Sequence, residues 1–317
     1  DEVLIRVRAV GICGSELHAY EGISERRKPP LIMGHEFTGE VTEVGEKGEG
    51  VQISDRVVVD PIIRCGTCEQ CVIGRSNICE NMRLIGIHRP GAFAEYVAVP
   101  AKNCIRLPDN VSFEEGALVE PLSVGIHAVS RIPIKLGDTV VVIGAGIIGL
   151  MAMQAAKLAG TAKLVISGGG RREYRLELAR KLGADIVINS KKEDCVKKIM
   201  ELTNMKGVDA VLEAVGTQIT VQQAMRMVKK GGSVAVIGML VPKMELEMLG
   251  AVVKETEIKG MYGYTTADFR VALDLISAGR VDVKSVITHL FSLDDAREAF
   301  ETLYEKRDDV VKVLIKP

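Results

Sequence analysis

TVVVIGAGIIGLMAMQAAKLAG (139–160) is the stretch on which the fold turns. Its first five residues form a β-branched, apolar run of the kind that fills a buried strand. Glycines then fall at 144, 146 and 149, and a helix-forming apolar segment follows without a break. A Gly-x-Gly-x-x-Gly turn is common by itself, but a strand before it and a helix after it make it a dinucleotide fingerprint. Gly144 permits the tight turn, Gly146 lets backbone approach a pyrophosphate, and Gly149 permits close packing of helix on sheet. Ile147 and Ile148 open the helix, whose N-terminus favours an anion.

Outward from this unit the same grammar repeats. Further strands are expected at KLVIS (163–167), DIVIN (185–189), DAVLEAV (209–215) and SVAVIG (233–238), with helices at RLELARKLG (175–183) and VKKIMELT (196–203). Strands alternating with helices imply βαβ units and a doubly wound parallel sheet. Residues 1–123 read differently. VLIRVRAV (3–10), FTGEVTEVG (37–45) and DRVVVDP (55–61) are short β-branched runs separated by Gly and Pro. Beyond Gly263 two helices are expected, the second opening at SLDDA (292–296) with a serine cap, and then a final strand VVKVLI (310–315). The expectation is an α/β class chain: a β-rich domain, 1–123 and 264–317, interrupted by a dinucleotide-binding domain, 124–263.

At 317 residues the chain can bury two ordinary cores. A net charge of −1 provides no whole-protein attraction to phosphate backbones, so a nucleic-acid partner is not expected. The longest apolar run, Val140 to Met153, is too short to span a bilayer and holds all three fingerprint glycines, and no targeting leader is visible. Seven cysteines, unevenly placed, fit metal ligation better than a disulfide framework and point to the cytoplasm.

Four of those cysteines lie in CGTCEQCVIGRSNIC (65–79), at Cys65, Cys68, Cys71 and Cys79. Three sulfurs at every third residue suit a loop wrapped round one ion, and the fourth closes a tetrahedron. Such a closed thiolate site is structural and orders its own loop. A second set is sparser: Cys13 in GICGSELH (11–18), His35 and Glu36 in GHE, and Glu120 in LVEPL. One thiolate, one imidazole and one or two carboxylates make a zinc site with room for water or substrate. Singly, Cys13 reads as a small buried hydrophobe and His35 as a satisfied core histidine. Beside the four-cysteine loop they read as a second metal centre.

GICGSELH, PPLIMGHEFTGEVTEVG, the cysteine loop, GAFAEYV, EPLSVGIHAV and GAGIIG, in this order, resemble the zinc-dependent medium-chain dehydrogenases, most closely the polyol (sorbitol-type) branch. The resemblance implies a GroES-like catalytic domain holding an inserted Rossmann domain. It implies that Cys13, His35 and Glu36 hold catalytic zinc and that Glu120 bonds the zinc water or exchanges with it. Ser15 and His18 would carry the alcohol proton outward; by themselves they read as a helix cap and a surface residue. Glu16 stands where the family more often has Asp, as a partner of the zinc histidine. The family also carries strands ahead of the stretch matching Val3, and a chain without them would have a gap in its catalytic sheet.

The implied reaction is hydride transfer between a secondary alcohol, a polyol or small diol, and a nicotinamide cofactor. A threonine-type dehydrogenase is the second enzyme reading, because IMGHEF and EPL fit that branch too. A zinc-stabilised nucleotide-binding protein without catalysis is the third. A homo-oligomer, dimer or tetramer, is expected. The cofactor expected is NADP, with NAD possible. Strand KLVIS ends at Ser167 rather than at the acid that binds an NAD ribose, and Arg171, Arg172 and Arg175 follow the glycines 168–170. Glu173 is the one nearby carboxylate that could serve the ribose hydroxyl instead.

Overall fold

The computed structural model describes every residue except 25, 170–172, 240 and 306–308. Two compact units emerge: Asp1–Pro121 with Tyr264–Pro317, and Leu122–Gly263.

The first unit opens with β1 (Glu2–Gly11), β2 (Glu36–Val44) and β3 (Arg56–Val59). The short pair β4 (Ile62–Ile63) and β5 (Arg83–Leu84) brackets the cysteine loop, and β6 (Tyr96–Pro100) and β7 (Cys104–Arg106) follow. In β1 the side chains of Val3, Ile5 and Val7 are almost completely buried, while Leu4, Arg6 and Arg8 between them are not, the period-two signature of a strand with one face on a core. That core gathers Phe37, Val41, Val57, Val97 and Phe300. β1 is paired along both edges, by β2 on one side and by β6 and the last strand of the chain on the other.

The second unit carries β8 (Thr139–Ile143), β9 (Lys163–Gly168), β10 (Ile186–Asn189), β11 (Val208–Glu213), β12 (Val228–Val236) and β13 (Glu257–Gly260). All pairings are parallel, in the order β10-β9-β8-β11-β12-β13. This is the doubly wound order, with its reversal between β8 and β11, where such sheets bind ligands at their carboxyl ends. Val140 to Val142 are fully buried, as a central parallel strand requires. The chain then returns to the first sheet as β14 (Ile287–Ser292) and β15 (Lys312–Lys316), which pair in parallel, β15 lying against β1.

Two local expectations need correction. β13 is an additional strand that the sequence pattern hides, because ETEIKG is an exposed edge segment with charges at alternate positions and lacks the apolar run of a buried strand. Ser292 does not cap the last helix, which begins at Ala296. Its hydroxyl bonds the Asp295 carboxylate at 2.5 Å and accepts from the Asp295 N–H at 3.3 Å, closing a turn just ahead of the helix.

The fingerprint glycines have separable roles. Gly144 sits at φ +109°, outside the range of most L side chains. A Cβ on Gly149 would collide with the Gly144 carbonyl oxygen, whereas a Cβ on Gly146 would meet nothing within 4 Å. Gly149→Ala is therefore expected to cost about 1–3 kcal/mol of stability by overpacking. Gly146→Ala should leave the denaturation midpoint within error of the parent. Equal midpoints for the two variants in urea would contradict this division.

Candidate metal centres and nucleotide site

Cys13 is extended (φ −86°, ψ 150°) and precedes the short helix Gly14–Tyr20. Its N–H donates to Glu16 Oε2 at 2.9 Å. Glu16 is completely buried, and its other oxygen accepts from the Gly34 N–H and from His35 Nδ1, both at 2.8 Å. One carboxylate therefore ties residue 13 to residues 34 and 35, and Glu16 makes the bond that the family gives to Asp. With Nδ1 engaged, His35 keeps Nε2 for a ligand. Burial alone would lower the His35 pKa, but Glu16, helped by Cys13, holds it well above the ordinary value.

Glu36 lies opposite Gly11 in the β1–β2 register. Its carboxylate pairs with the ammonium of Lys312, both side chains 1% exposed, and Lys312 Nζ also donates to the Ile12 carbonyl at 2.9 Å. A Cβ at Gly11 would collide with both partners, so glycine there makes room for the pair. Ligand atoms of Cys13, His35 and Glu36 all lie within 4.8 Å of one another. A thiolate, an imidazole and a carboxylate converging in one place fit an open zinc site.

Glu120, on the first turn of the helix Val119–Arg131, is not part of that trio but lies near enough to feel the charges of His35 and Glu36. Burial, with the negative charge of Glu36 adding, pushes its carboxyl up to about 7 against the opposing pull of His35 and Lys312. Tyr264 is completely buried beside Glu120, and burial together with that neighbouring charge raises its phenol well above the ordinary value. The Arg64 guanidinium holds this corner: it donates to Asp60 at 2.5 Å and to the Tyr264 carbonyl at 2.8 Å. Sequence reading missed Lys312, Tyr264, Arg64 and Asp60. A lysine inside the apolar run VVKVLI (310–315) was the one visible signal.

Ser15 donates to the Cys13 sulfur at 3.2 Å. His18 lies three residues on, on the same short helix, and among the described residues no hydrogen bond joins it to Ser15.

In the 65–79 loop all four cysteines are free thiols. Sulfur pairs stand 4.0 Å (Cys65–Cys71), 3.9 Å (Cys68–Cys79) and 3.5 Å (Cys65–Cys79) apart. Tetrahedral Zn–S bonds of about 2.3 Å place sulfurs roughly 3.8 Å apart, so the spacing fits zinc and is far too long for a disulfide. The N–H groups of Thr67 and Cys68 point at Cys65 and draw its thiol down to about 5, while burial and the neighbouring sulfurs push Cys71 up to about 12. Four such thiols ionise together only around a cation.

In the second unit Gly144–Gly146 line a cavity of about 530 Å³ together with Ser167, Arg175 and Ser190. Gly146 precedes the helix Ile147–Leu158 with no side chain capping it, so the first N–H groups are open to a pyrophosphate. Empty space where a Gly146 Cβ would stand fits the same group. Arg175 is buried on the first turn of its helix. Arg171 and Arg172 lie outside the described residues.

Comparison with known proteins shows the family. The sequence model described as alcohol dehydrogenase GroES-like domain matches residues 1–109, and the one described as zinc-binding dehydrogenase matches 148–278. The chain belongs to the zinc-dependent medium-chain alcohol and polyol dehydrogenases, oxidoreductases linked to NAD(P). Sorbitol dehydrogenase of Bacillus subtilis is 35% identical, with 100% of this chain and 90% of that protein covered. L-threonine 3-dehydrogenase of Pyrococcus furiosus is 36% identical over 99% of this chain and 91% of that one. A zinc-binding dehydrogenase of Sinorhizobium meliloti, solved bound to NADP, superposes with a TM-score of 0.91 at 36% identity, covering 100% of this chain and 92% of that one.

Cys68→Ser is expected to lower the melting temperature and to release one of two zinc ions per chain, because a closed thiolate site contributes folding energy. Metal analysis beside a thermal melt checks this; an unchanged melt with full zinc content would refute it.

Proposed function

We propose that this chain interconverts small polyols or diols and their ketones at a secondary carbon, with NADP preferred and NAD accepted. The observation that carries the reading is the convergence of the half-buried Cys13 with the buried His35 and Glu36, with Glu16 orienting the imidazole. Bound zinc supplies Lewis acidity towards the alcohol oxygen, and the nicotinamide supplies the redox chemistry.

The remaining work falls to this chain's own groups. Cys13, His35 and Glu36 hold the ion, and Lys312 keeps Glu36 seated between β1 and β15. Glu120, close by, bonds or replaces the water there. Ser15 would relay the substrate proton, its hydroxyl receiving one proton as it gives up its own towards the cofactor ribose and His18, and His18 would release it to solvent. Gly144, Gly146 and Gly149 cradle the pyrophosphate at the start of the helix, with Ile147 and Ile148 as its first turn. Ser167, Arg175 and, in sequence, Arg171 and Arg172 serve the adenosine end.

Similarity to a threonine dehydrogenase keeps an amino-alcohol substrate as the second reading. Side-by-side assays of sorbitol, xylitol, butanediol and threonine, each with NADP and NAD, separate the two. Polyol- or diol-dependent reduction of NADP is expected to be fastest. Threonine outrunning every polyol would overturn the substrate class, and no turnover with any alcohol would favour the non-catalytic alternative. Cys13→Ser should abolish turnover and leave the melt unchanged.

We also propose a homo-oligomer in the cytoplasm, whose reducing conditions keep the four-thiol site intact. Among the described residues no helix is long and apolar enough to cross a membrane. The helix Met248–Lys254 exposes Leu249 (77%), Val252 (67%) and Val253 (66%), an apolar face suited to self-association. Sedimentation velocity should show a dimer or tetramer, shifted towards monomer by Leu249→Asp with Val253→Asp. A parent chain sedimenting as a monomer would exclude this.

A further inference from the structure

The carboxyl end of β9 offers no acid to a ribose. Ser167 lines the cavity at only 2% exposure, close to the buried Cys195 thiol, and carries no charge. Gly168 and Gly169 present only backbone, and the Gly168 carbonyl accepts from the Ser190 N–H at 2.9 Å. A Cβ on Gly169 would lie 2.9 Å from the Ser190 hydroxyl. The chain leaving β10 is thus stitched directly beside the chain leaving β9, and Ser190 and Lys191 become walls of the nucleotide cavity.

Asn189 shapes the turn at the end of β10. Its side-chain oxygen accepts from the Lys191 N–H at 3.0 Å, and its carbonyl accepts from the N–H groups of Lys192 and Glu193. This Asx turn sends two successive lysines to different tasks. Lys192 pairs with Glu173, the first residue of the helix Glu173–Lys181. Glu173 is the one carboxylate in the segment after β9 that could accept from a ribose 2′-hydroxyl, and the pair engages it elsewhere. Lys191 lines the cavity, and among the described residues its ammonium has no ion-pair or hydrogen-bond partner.

We infer that Lys191 is a specificity-determining residue for the cofactor, its ammonium binding the 2′-phosphate of NADP beside Ser190, and that Lys192 supports it by keeping Glu173 away from the ribose. The inference rests on the NADP preference proposed above. A compact ammonium suits phosphate as a point charge, and a carboxylate left free nearby would repel the same phosphate. The Lys192–Glu173 pair is solvent-exposed, which makes its effect a bias.

Binding of fragments tests this without turnover. Isothermal titration of the full chain with 2′,5′-ADP and with 5′-AMP reads the phosphate directly. The parent should bind 2′,5′-ADP about ten-fold or more tightly than 5′-AMP. Lys191→Ala should remove most of that difference and leave the 5′-AMP affinity unchanged, while Lys191→Arg keeps it. Lys192→Ala should weaken 2′,5′-ADP by about two- to five-fold, the scale of an exposed charge, and Lys192→Ala with Glu173→Gln should regain the loss. Lys191→Ala with the parent's full discrimination overturns the role of Lys191 and leaves the NADP reading standing. A parent that does not discriminate overturns both.

Discussion

The meeting of Cys13 with His35 hangs on one buried carboxylate. Glu16 sits in the core with no solvent to share its charge, so it must collect donors from the protein. It finds three N–H groups, on Cys13, Gly34 and His35. Two belong to a segment eighteen or nineteen residues further on. Satisfying Glu16 therefore brings the thiol and the imidazole together and fixes which imidazole nitrogen is left over. Loss of that carboxylate would leave a buried imidazole and two backbone donors unpaired, a cost far above that of one surface bond.

A second buried charge balances the first. Lys312 arrives at Glu36 from the far end of the chain, delivered by the pairing of β15 with β1. The bare Gly11 between them makes the approach possible. A buried ion pair of this kind is weak evidence for stability, since desolvating both groups offsets much of their attraction. Its value here is positional: it holds a carboxylate beside Cys13 and His35. The Asp60–Arg64–Tyr264 corner does similar work on the side of Glu120.

The two metal sets contrast in how they are specified. Cys65, Cys68, Cys71 and Cys79 lie within fifteen consecutive residues, and their sulfurs approach tetrahedral spacing on a loop. Cys13, His35 and Glu36 are drawn from separate elements and depend on the sheet register to meet. Four thiolates round one ion leave no position for a substrate, whereas three protein ligands leave one open.

How far each feature could be read in the sequence depends on its range along the chain. The strand–glycine–helix fingerprint, the spacing of the four-cysteine loop and the alternation of strand and helix were legible, because short spacings fix what a turn or loop can wrap around. β13 was hidden by its charges, and the Ser292 cap was misplaced by one turn for want of backbone geometry. Glu16 was visible only as a variant residue, and its three bonds were not. Lys312 meets Ile12 across 300 residues, Lys192 meets Glu173 across nineteen, and Tyr264 reaches Glu120 from beyond the inserted unit. Sequence by itself determined which chemistry the chain can hold, since ligand identity and local spacing are written in the residues. Only tertiary structure decided which charge neutralises which, because a buried group takes its partner from strand register and crossover, and neither is encoded in any local pattern.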